Sequence, residues 1–236
     1  MTSALFGAAA ALAVVFAIIL VQRYRVSKAP VYAWWTLSFG LYALAFITEA
    51  LTVPSNWHLV WEYQLYIVAS AGLVGAMSVG TTYLAFPRSK VAVGYAIYFS
   101  FVELALIALT LVFPPVLHGN WQSLNAGKNS IVGPTQIAYL LLSAVGGPIV
   151  VLGSLWSWWK TRRYYTLLIA VGALIPSAAG TVASQGGGLT LFPVLNILGL
   201  VLIFLGYVYS RPQAKTAARG SERTHLTPTA RQSTNG

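Results

Sequence analysis

The sequence predicts an all-α integral membrane protein, a seven-transmembrane-helix bundle with its N-terminus outside and its C-terminus in the cytoplasm. Three observations predict this fold. Of the 236 residues, 57% are hydrophobic and only 8% are charged, whereas a soluble domain carries about 25% charged residues. Seven apolar stretches reach the length of about 20 residues that a helix needs to cross a bilayer. Basic residues are concentrated in every second connection between these stretches, as the positive-inside rule requires.

The seven predicted helices form one membrane domain, residues 1–210. The first helix is interpreted as an uncleaved anchor rather than a signal peptide, because Arg23, Arg25 and Lys28 follow its apolar run instead of preceding it. Residues 211–236 are rich in Ser, Thr, Arg and Gly, which predicts a disordered basic tail in the cytoplasm. The predicted helices cover approximately 3–22, 31–53, 59–85, 91–113, 134–159, 164–184 and 189–210.

The distribution of Lys and Arg predicts the orientation. Basic residues occupy the first, third and fifth connections, at 23–28, 88–90 and 160–163, whereas the fourth carries only Lys128 and the second and sixth carry none. The positive-inside rule therefore places loops 1, 3 and 5 and the tail in the cytoplasm, and we expect the plasma (inner) membrane. These loops and the tail are expected to contact anionic lipid headgroups. Because topology accounts for the net charge of +10, nucleic acid is not an expected partner.

Small residues at four-residue intervals predict two closely packed helix faces. Lipid does not drive helices together hydrophobically, so close contacts in a membrane need small side chains. The two faces consist of Gly72, Ala76 and Gly80 on the third helix and Gly172, Pro176 and Gly180 on the sixth.

Three of the four acidic residues fall within or at the ends of predicted helices. Glu103 lies near the middle of the fourth helix, where an ionisable group costs at least ~2.5–3.5 kcal/mol and indicates a functional site. Glu103 is therefore expected to face the bundle interior or a hydrated cavity. Glu49 lies about one turn from the outer end of the second helix and shares a helical face with Ser38 and Tyr42. Glu62 begins the third helix, where a carboxylate suits the positive end of the helix dipole.

A second group of polar residues is predicted at the outer membrane edge. His58 and Glu62 are four residues apart, and His118 lies in the outer connection between helices four and five. Imidazole and carboxylate together suit zinc or another divalent ion. Two residues at this spacing often occur by chance, and an ordinary hydrated interface is the favoured interpretation, so no metal is assigned.

Several chemistries are excluded by composition. The chain has no cysteine and no aspartate, which excludes thiolate sites and paired aspartates. No histidine lies at membrane depth, so no histidine pair can ligate haem between helices. The topology resembles that of microbial rhodopsins, and this resemblance rests on no motif. It would imply a retinal Schiff-base lysine in the seventh helix, but that helix has no lysine and carries Asn196 at its centre. No cofactor is expected.

Three functions remain open. The first is permeation of protons, cations or a small polar solute, with Glu103 as the central relay and Glu49 toward the outer face. Tyr42, Tyr66, Ser70 and Asn196 extend the polar path in this hypothesis. The alternative is a non-enzymatic sensor, receptor or accessory subunit that binds a lipid-like ligand, forms a homo-oligomer or joins a larger membrane complex.

The third function is an intramembrane enzyme with Glu103 or Glu49 as its acid–base group. The sequence offers this group neither a nucleophile–base pair nor an internal metal site. We therefore expect no enzymatic activity.

Overall fold

The computed structural model describes residues 2–52, 57–87, 89–117, 130–131, 133–184 and 191–209, with the backbone alone for 180–184. Within these ranges the regular structure is entirely helical. The tail predicted at 211–236 lies outside the described residues. The seven long helices are α1 (Thr2–Ser27), α2 (Pro30–Thr52), α3 (Val60–Ala85), α4 (Lys90–Val112), α5 (Pro134–Thr161), α6 (Tyr164–Ser184) and α7 (Leu191–Tyr209).

The surfaces of these helices are those of a membrane protein. Six of the seven are long and apolar enough to cross a bilayer, and the described apolar segment of α6, Tyr164–Ala179, is shorter. Large apolar side chains are exposed along the outward faces, for example Ile97, Phe101 and Leu104 on α4. An apolar face of this extent would be unfavourable in water but is well solvated by lipid. The chain is therefore a helical membrane protein.

The helices begin and end close to the predicted positions, except at the C-terminal end of α1. The prediction ended this helix at residue 22, whereas it continues to Ser27. Arg23 and Arg25 lie in the additional turn, and arginine is both a good helix former and well placed at the negative end of a helix dipole. Hydropathy marks where a helix leaves the apolar layer, and α1 extends beyond that point.

Six helices form a closed ring, and α4 lies outside it. Around the ring the order is α1, α2, α3, α5, α6 and α7, each contacting the next, and α7 returns to α1. The remaining helix, α4, packs against α3 and α5. One apolar cluster fills the space between α1, α2, α6 and α7, and a second joins α3, α4 and α5. The side chains that point into the ring therefore belong to a different environment from those of α4.

The two ends of the bundle differ in charge. The connections that follow α1, α3 and α5 lie at one end, with the end of α7 beside the start of α2, where the rings of Tyr207 and Tyr32 are 6.4 Å apart. We call this the basic end, because it carries the basic residues at 23–28, Lys90 and 160–163. The other end is called the non-basic end.

Small residues let α6 and α7 pack with their backbones in close contact. A Cβ atom on Gly172 would lie 2.8 Å from the carbonyl oxygen of Gly199, and one on Gly199 would lie 2.6 Å from the carbonyl oxygen of Gly172. The ring of Pro176 lines the same contact. Gly180 falls in the segment of which only the backbone is described.

Small residues on α3 allow larger side chains of its neighbours to approach its backbone. Ala76 is completely buried. Gly80 lies directly beneath the indole ring of Trp35 on α2. On the other side of α3, Gly146 of α5 packs against Val74. α3 is consequently more enclosed than the other five helices that are long enough to span a bilayer.

Candidate functional site

Glu49 lies inside the ring of helices, toward the non-basic end. Its side chain is only 6% exposed. The carboxyl group interacts by hydrogen bonding with the hydroxyl of Tyr66 on α3. The hydroxyls of Tyr42 on α2 and Tyr139 on α5 are close enough to interact with it electrostatically. Glu49 is therefore surrounded by tyrosine hydroxyls from three helices.

The inward face of α2 explains this placement. Ser38, Tyr42 and Glu49 recur at spacings of four and seven, so they lie along one side of the helix, and all three are buried. The Ser38 hydroxyl donates to the carbonyl oxygen of Leu73 on α3 at 2.7 Å. Each member of this stripe has a polar partner on a neighbouring helix, as buried polar groups in an apolar bundle require.

Tyr42 joins the cluster to α7 on the other side of the ring. Its hydroxyl donates to Oδ1 of Asn196 at 2.5 Å. The amide of Asn196 is held in this orientation because its Nδ2 donates to the carbonyl oxygen of Phe192 at 2.8 Å. Asn196, the central polar residue of α7, is therefore held by a hydrogen bond to α2.

Tyr139 extends the polar groups in the opposite direction, toward α3 and the non-basic end. Its hydroxyl interacts by hydrogen bonding with Ser70, and it also lies near Tyr63 and Tyr66. The Ser70 hydroxyl in turn donates to the carbonyl oxygen of Ile67 at 3.1 Å. We call Glu49, Tyr66, Ser70 and Tyr139, together with Tyr42 and Asn196, the Glu49 cluster.

An aromatic cap covers the Glu49 cluster at the non-basic end. Trp57 is 5% exposed, and its ring lies 4.9 Å from that of Tyr63 and 5.2 Å from that of Tyr66. The Tyr63 hydroxyl faces Ser130. Both hydroxyls are buried, and neither makes a hydrogen bond of standard geometry within the described part of the chain. The cap therefore places two further hydroxyls, those of Tyr63 and Ser130, beside the cluster.

Toward the basic end large apolar side chains dominate the interior. Trp35, Phe39 and Met77 lie beyond Tyr42 and are all buried, and the one hydroxyl of the α2 stripe among them, that of Ser38, is bonded to the backbone of α3. The indole nitrogen of Trp35 has no hydrogen-bond partner among the described residues. The Glu49 cluster thus occupies one half of the ring interior, and a packed apolar layer separates it from the basic end.

Glu103 lies apart from this cluster. On α4 its Oε1 approaches the backbone of α3, 2.5 Å from where a Cβ on Gly72 would be, with Leu41 of α2 beside it. Its Oε2 is buried and has no hydrogen-bond partner within the described residues. The sequence placed Glu103 at the centre of a path through Tyr42 and Asn196, but the structure places these residues with Glu49 inside the ring and Glu103 outside it.

Two of the three outer-face residues, His58 and Glu62, lie in the described part of the chain. α3 begins at Val60, so His58 precedes the helix and does not share a helical face with Glu62. Glu62 does lie in the first turn of α3. His118 lies outside the described residues. Within the residues described, no three acidic or histidine side chains converge as metal ligands.

Three participants in and around the cluster were missed from the sequence. Tyr139 carries a recognisable signal, because Thr135, Tyr139 and Ser143 recur every four residues and form a polar stripe on an apolar helix. Trp57 and Tyr63 had no such signal. Both resemble ordinary interfacial aromatics in the sequence, and only the packing of α3 turns them toward Glu49.

Comparison with protein-family models, curated proteins and solved structures finds no match for this chain. What the Glu49 cluster can do follows from its carboxyl and hydroxyl groups. A carboxyl group can both take up and release a proton, and the neighbouring hydroxyls can each accept and donate a hydrogen bond. The same oxygens are the ligands that small hard cations prefer. The arrangement is suited to holding or passing on a proton or a small cation.

Proposed function

We propose that this protein is a non-enzymatic, seven-span membrane protein that provides a permeation path for protons or small cations through the Glu49 cluster. The observation that supports this proposal is the buried carboxyl of Glu49 surrounded by hydroxyls from three helices. Carboxylates at membrane depth are rare, and chains of such groups form the proton relays of pumps and transporters. The charge distribution favours the plasma (inner) membrane with the basic end in the cytoplasm.

In this proposal the cluster passes its cargo between hydroxyls. Tyr66, Tyr139 and Ser70 connect Glu49 to the aromatic cap at the non-basic end. Tyr42 and Asn196 continue from Glu49 toward the middle of the bundle. The apolar layer around Trp35 closes the path in the conformation described, so conduction requires this layer to move and admit water. A closed apolar constriction that gates by wetting is a known device in channels.

Flux in proteoliposomes tests the proposal. Vesicles loaded with a pH-sensitive dye are given a potassium-diffusion potential, and proton entry is followed for the wild type, Glu49→Gln and Glu103→Gln. We expect wild-type flux to fall at least tenfold in Glu49→Gln and to persist in Glu103→Gln. Both substitutions remove the titratable carboxyl and keep its size, so Glu103→Gln is the matched control for Glu49→Gln.

Three results would contradict the proposal. Wild-type vesicles as tight as protein-free vesicles, with the imposed potential intact, would exclude both proton and cation conductance. Loss of flux in Glu103→Gln alone would move the path to α4. Unchanged flux in Glu49→Gln would remove the cluster from the mechanism, provided that both variants unfold at the wild-type temperature in detergent.

The orientation is tested by single cysteines, since the chain contains none. His58→Cys at the non-basic end and Thr161→Cys at the basic end are both at exposed positions. In intact cells we expect a membrane-impermeant thiol reagent to label only the cysteine at 58. Labelling of the cysteine at 161 instead would reverse the proposed topology.

A second candidate function is that of an accessory subunit. The observation that favours it is Glu103 on α4, whose Oε2 is buried and has no hydrogen-bond partner among the described residues, on a helix that also exposes a long apolar face. A membrane protein that packs against this face and turns the Glu103 side chain outward would give the carboxyl a donor. Crosslinking from a photoreactive residue at Phe101 to a second polypeptide in native membranes, lost in Glu103→Leu, would support this function. Recovery of the protein only as a free monomer after gentle extraction would count against it.

A further inference from the structure

An open groove runs along the outside of the bundle between α1 and α2, on the face that points away from the Glu49 cluster. Its volume is about 660 Å³. The walls are apolar and come from Val14, Ile18 and Val21 of α1 and from Ala43 and Ile47 of α2. The lining belongs to a single stripe on each helix, so the groove follows the helix axes.

Gly40 keeps the middle of this groove open. A Cβ atom at this position would have no neighbour within 4 Å, in contrast to the glycines at the helix interfaces. The groove therefore does not result from a tight helix contact at this glycine. It is a depression that a larger residue at position 40 would fill without displacing any other part of the protein.

Gln22 and Arg25 line one end of the groove, and Arg25 differs from the other arginines of the described chain. Four arginines are described, and three of them lie about 6 Å or less from the centre of an aromatic ring. Those three pairs are Arg23 with Tyr32, Arg162 with Trp158 and Arg163 with Tyr165. Arg25 has an exposed side chain and no hydrogen bond or ring contact within the described residues. Its guanidinium group is available to a ligand in the groove.

The length of the groove matches one leaflet of a bilayer. Val14 lies near the midpoint of α1, and at 1.5 Å per residue the distance from Val14 to Arg25 along the helix is about 16 Å. The hydrocarbon layer is about 30 Å thick, so one leaflet is about 15 Å deep. When Val14 is at the bilayer centre, Arg25 consequently lies at the depth of the headgroups of the leaflet at the basic end.

We propose that this groove binds a glycerophospholipid with an anionic headgroup, with one acyl chain along Val14, Ile18 and Gly40 and the phosphate on Arg25. Guanidinium groups are suited to phosphate because their N–H donors match its oxygens in pairs, and Gln22 adds an amide donor. Basic pockets between membrane helices on the cytoplasmic side are sites where anionic lipids bind.

The charge of Arg25 favours an anionic lipid over a protein helix as the occupant. An apolar helix packed in the groove would leave this guanidinium group without a counter-charge, whereas a phosphate supplies one. The inference does not depend on the proposed permeation path, because α2 presents Glu49 and the groove on different faces.

Lipid binding to the purified full chain in mild detergent tests the proposal. Dioleoyl phosphatidylglycerol or dioleoyl phosphatidylcholine is titrated in, and bound lipid is counted by native mass spectrometry for four variants. Gly40→Leu fills the groove, and Gly94→Leu is its control because position 94 is equally open but lies on α4. Arg25→Gln removes the headgroup contact, and Lys160→Gln is its control with the same charge change at the same end of the bundle.

We expect wild type to bind one phosphatidylglycerol at least tenfold more tightly than phosphatidylcholine. Arg25→Gln should abolish this preference, Gly40→Leu should abolish the single-lipid adduct, and both controls should bind as wild type. Wild-type binding by both Gly40→Leu and Arg25→Gln would overturn the proposal. So would a second polypeptide or a second copy of the chain that crosslinks to a photoreactive residue at position 18, within the groove, and is displaced by Gly40→Leu.

Discussion

Glu49 and Glu103 are both carboxylates within apolar helices, but they occupy contrasting surroundings. Glu49 points into a ring of six helices and meets hydroxyls from α2, α3 and α5. Glu103 belongs to the helix outside that ring, and one of its oxygens has no partner among the described residues. The depth of a carboxyl group in the membrane and its position around the bundle are therefore separate properties. Depth determines the free energy needed to bury its charge, and position determines which neighbouring groups can form hydrogen bonds with it.

The largest expected difference is in stability when each carboxylate is replaced by leucine. Glu49→Leu leaves the Tyr66 hydroxyl buried without its partner, which should lower the free energy of unfolding by about 1–3 kcal/mol. Glu103→Leu removes a carboxyl group that forms no hydrogen bond with a described hydroxyl, so the stability of this variant should equal or exceed that of the wild type. Thermal unfolding in one detergent, followed by tryptophan fluorescence, compares the two. A greater loss in Glu103→Leu would contradict the contrast between the two sites.

The next largest loss of stability is expected when the contact between Glu103 and Gly72 is overpacked. A methyl group at position 72 would lie 2.5 Å from Glu103 Oε1 and 3.0 Å from Leu41 Cδ1, so Gly72→Ala should cost about 1 kcal/mol by overpacking. Removing the carboxyl in Glu103→Ala should relieve most of that cost in the double variant. A double-mutant cycle on unfolding temperatures measures this coupling. Additive effects would show that Glu103 does not rest on Gly72 in the membrane protein.

The hydrogen bond that joins the Glu49 cluster to α7 should contribute less to the free energy of unfolding than the contacts of Glu49 and Glu103. Tyr42→Phe removes the hydrogen bond to Asn196 and should cost about 0.6–1 kcal/mol, the range for such bonds between membrane helices. Tyr98→Phe is the control, because the Tyr98 hydroxyl is exposed and bonds to the Leu141 carbonyl at 3.3 Å. Equal effects of the two substitutions would indicate that the Tyr42–Asn196 bond adds nothing specific.

The smallest effect is expected at Glu62. Its carboxylate lies in the first turn of α3, where interaction with the helix dipole contributes about 0.5 kcal/mol at low salt. Glu62→Gln should therefore lower the unfolding temperature slightly, and the difference should shrink in high salt because the partly exposed charge is screened. A salt-independent loss would point to a structural role instead.

Much of the helical architecture could be predicted because hydropathy depends only on local sequence. The start of α3 at Val60 and the end of α4 at Val112 fall within a residue of expectation. The ring, and the position of α4 outside it, could not be predicted, since nothing in the apolar run of α4 identifies the neighbours of that helix. The stripe of Ser38, Tyr42 and Glu49 was visible in the sequence, but Tyr139 reaches Glu49 only because α5 packs against α3.

The neighbours of Glu103 could not be predicted from the sequence either. The sequence places Glu103 near the middle of α4, where an ionisable group is costly, and its side chain is partly buried there. Gly72, which has no side chain, lets the carboxyl lie against the backbone of α3, with Leu41 of α2 beside it. A sequence shows the small residue and the acid, but not that one accommodates the other.

The accessibility of the Glu49 cluster to water tests the central claim most directly. Single cysteines replace Ser70, within the cluster, and Ser100, one turn before Glu103 on α4; both positions are partly buried. A small cationic thiol reagent is applied to proteoliposomes while flux is recorded. The account predicts that the cysteine at 70 reacts and blocks flux, whereas the cysteine at 100 stays unreactive. Reaction at position 100 with loss of flux, and none at position 70, would contradict it.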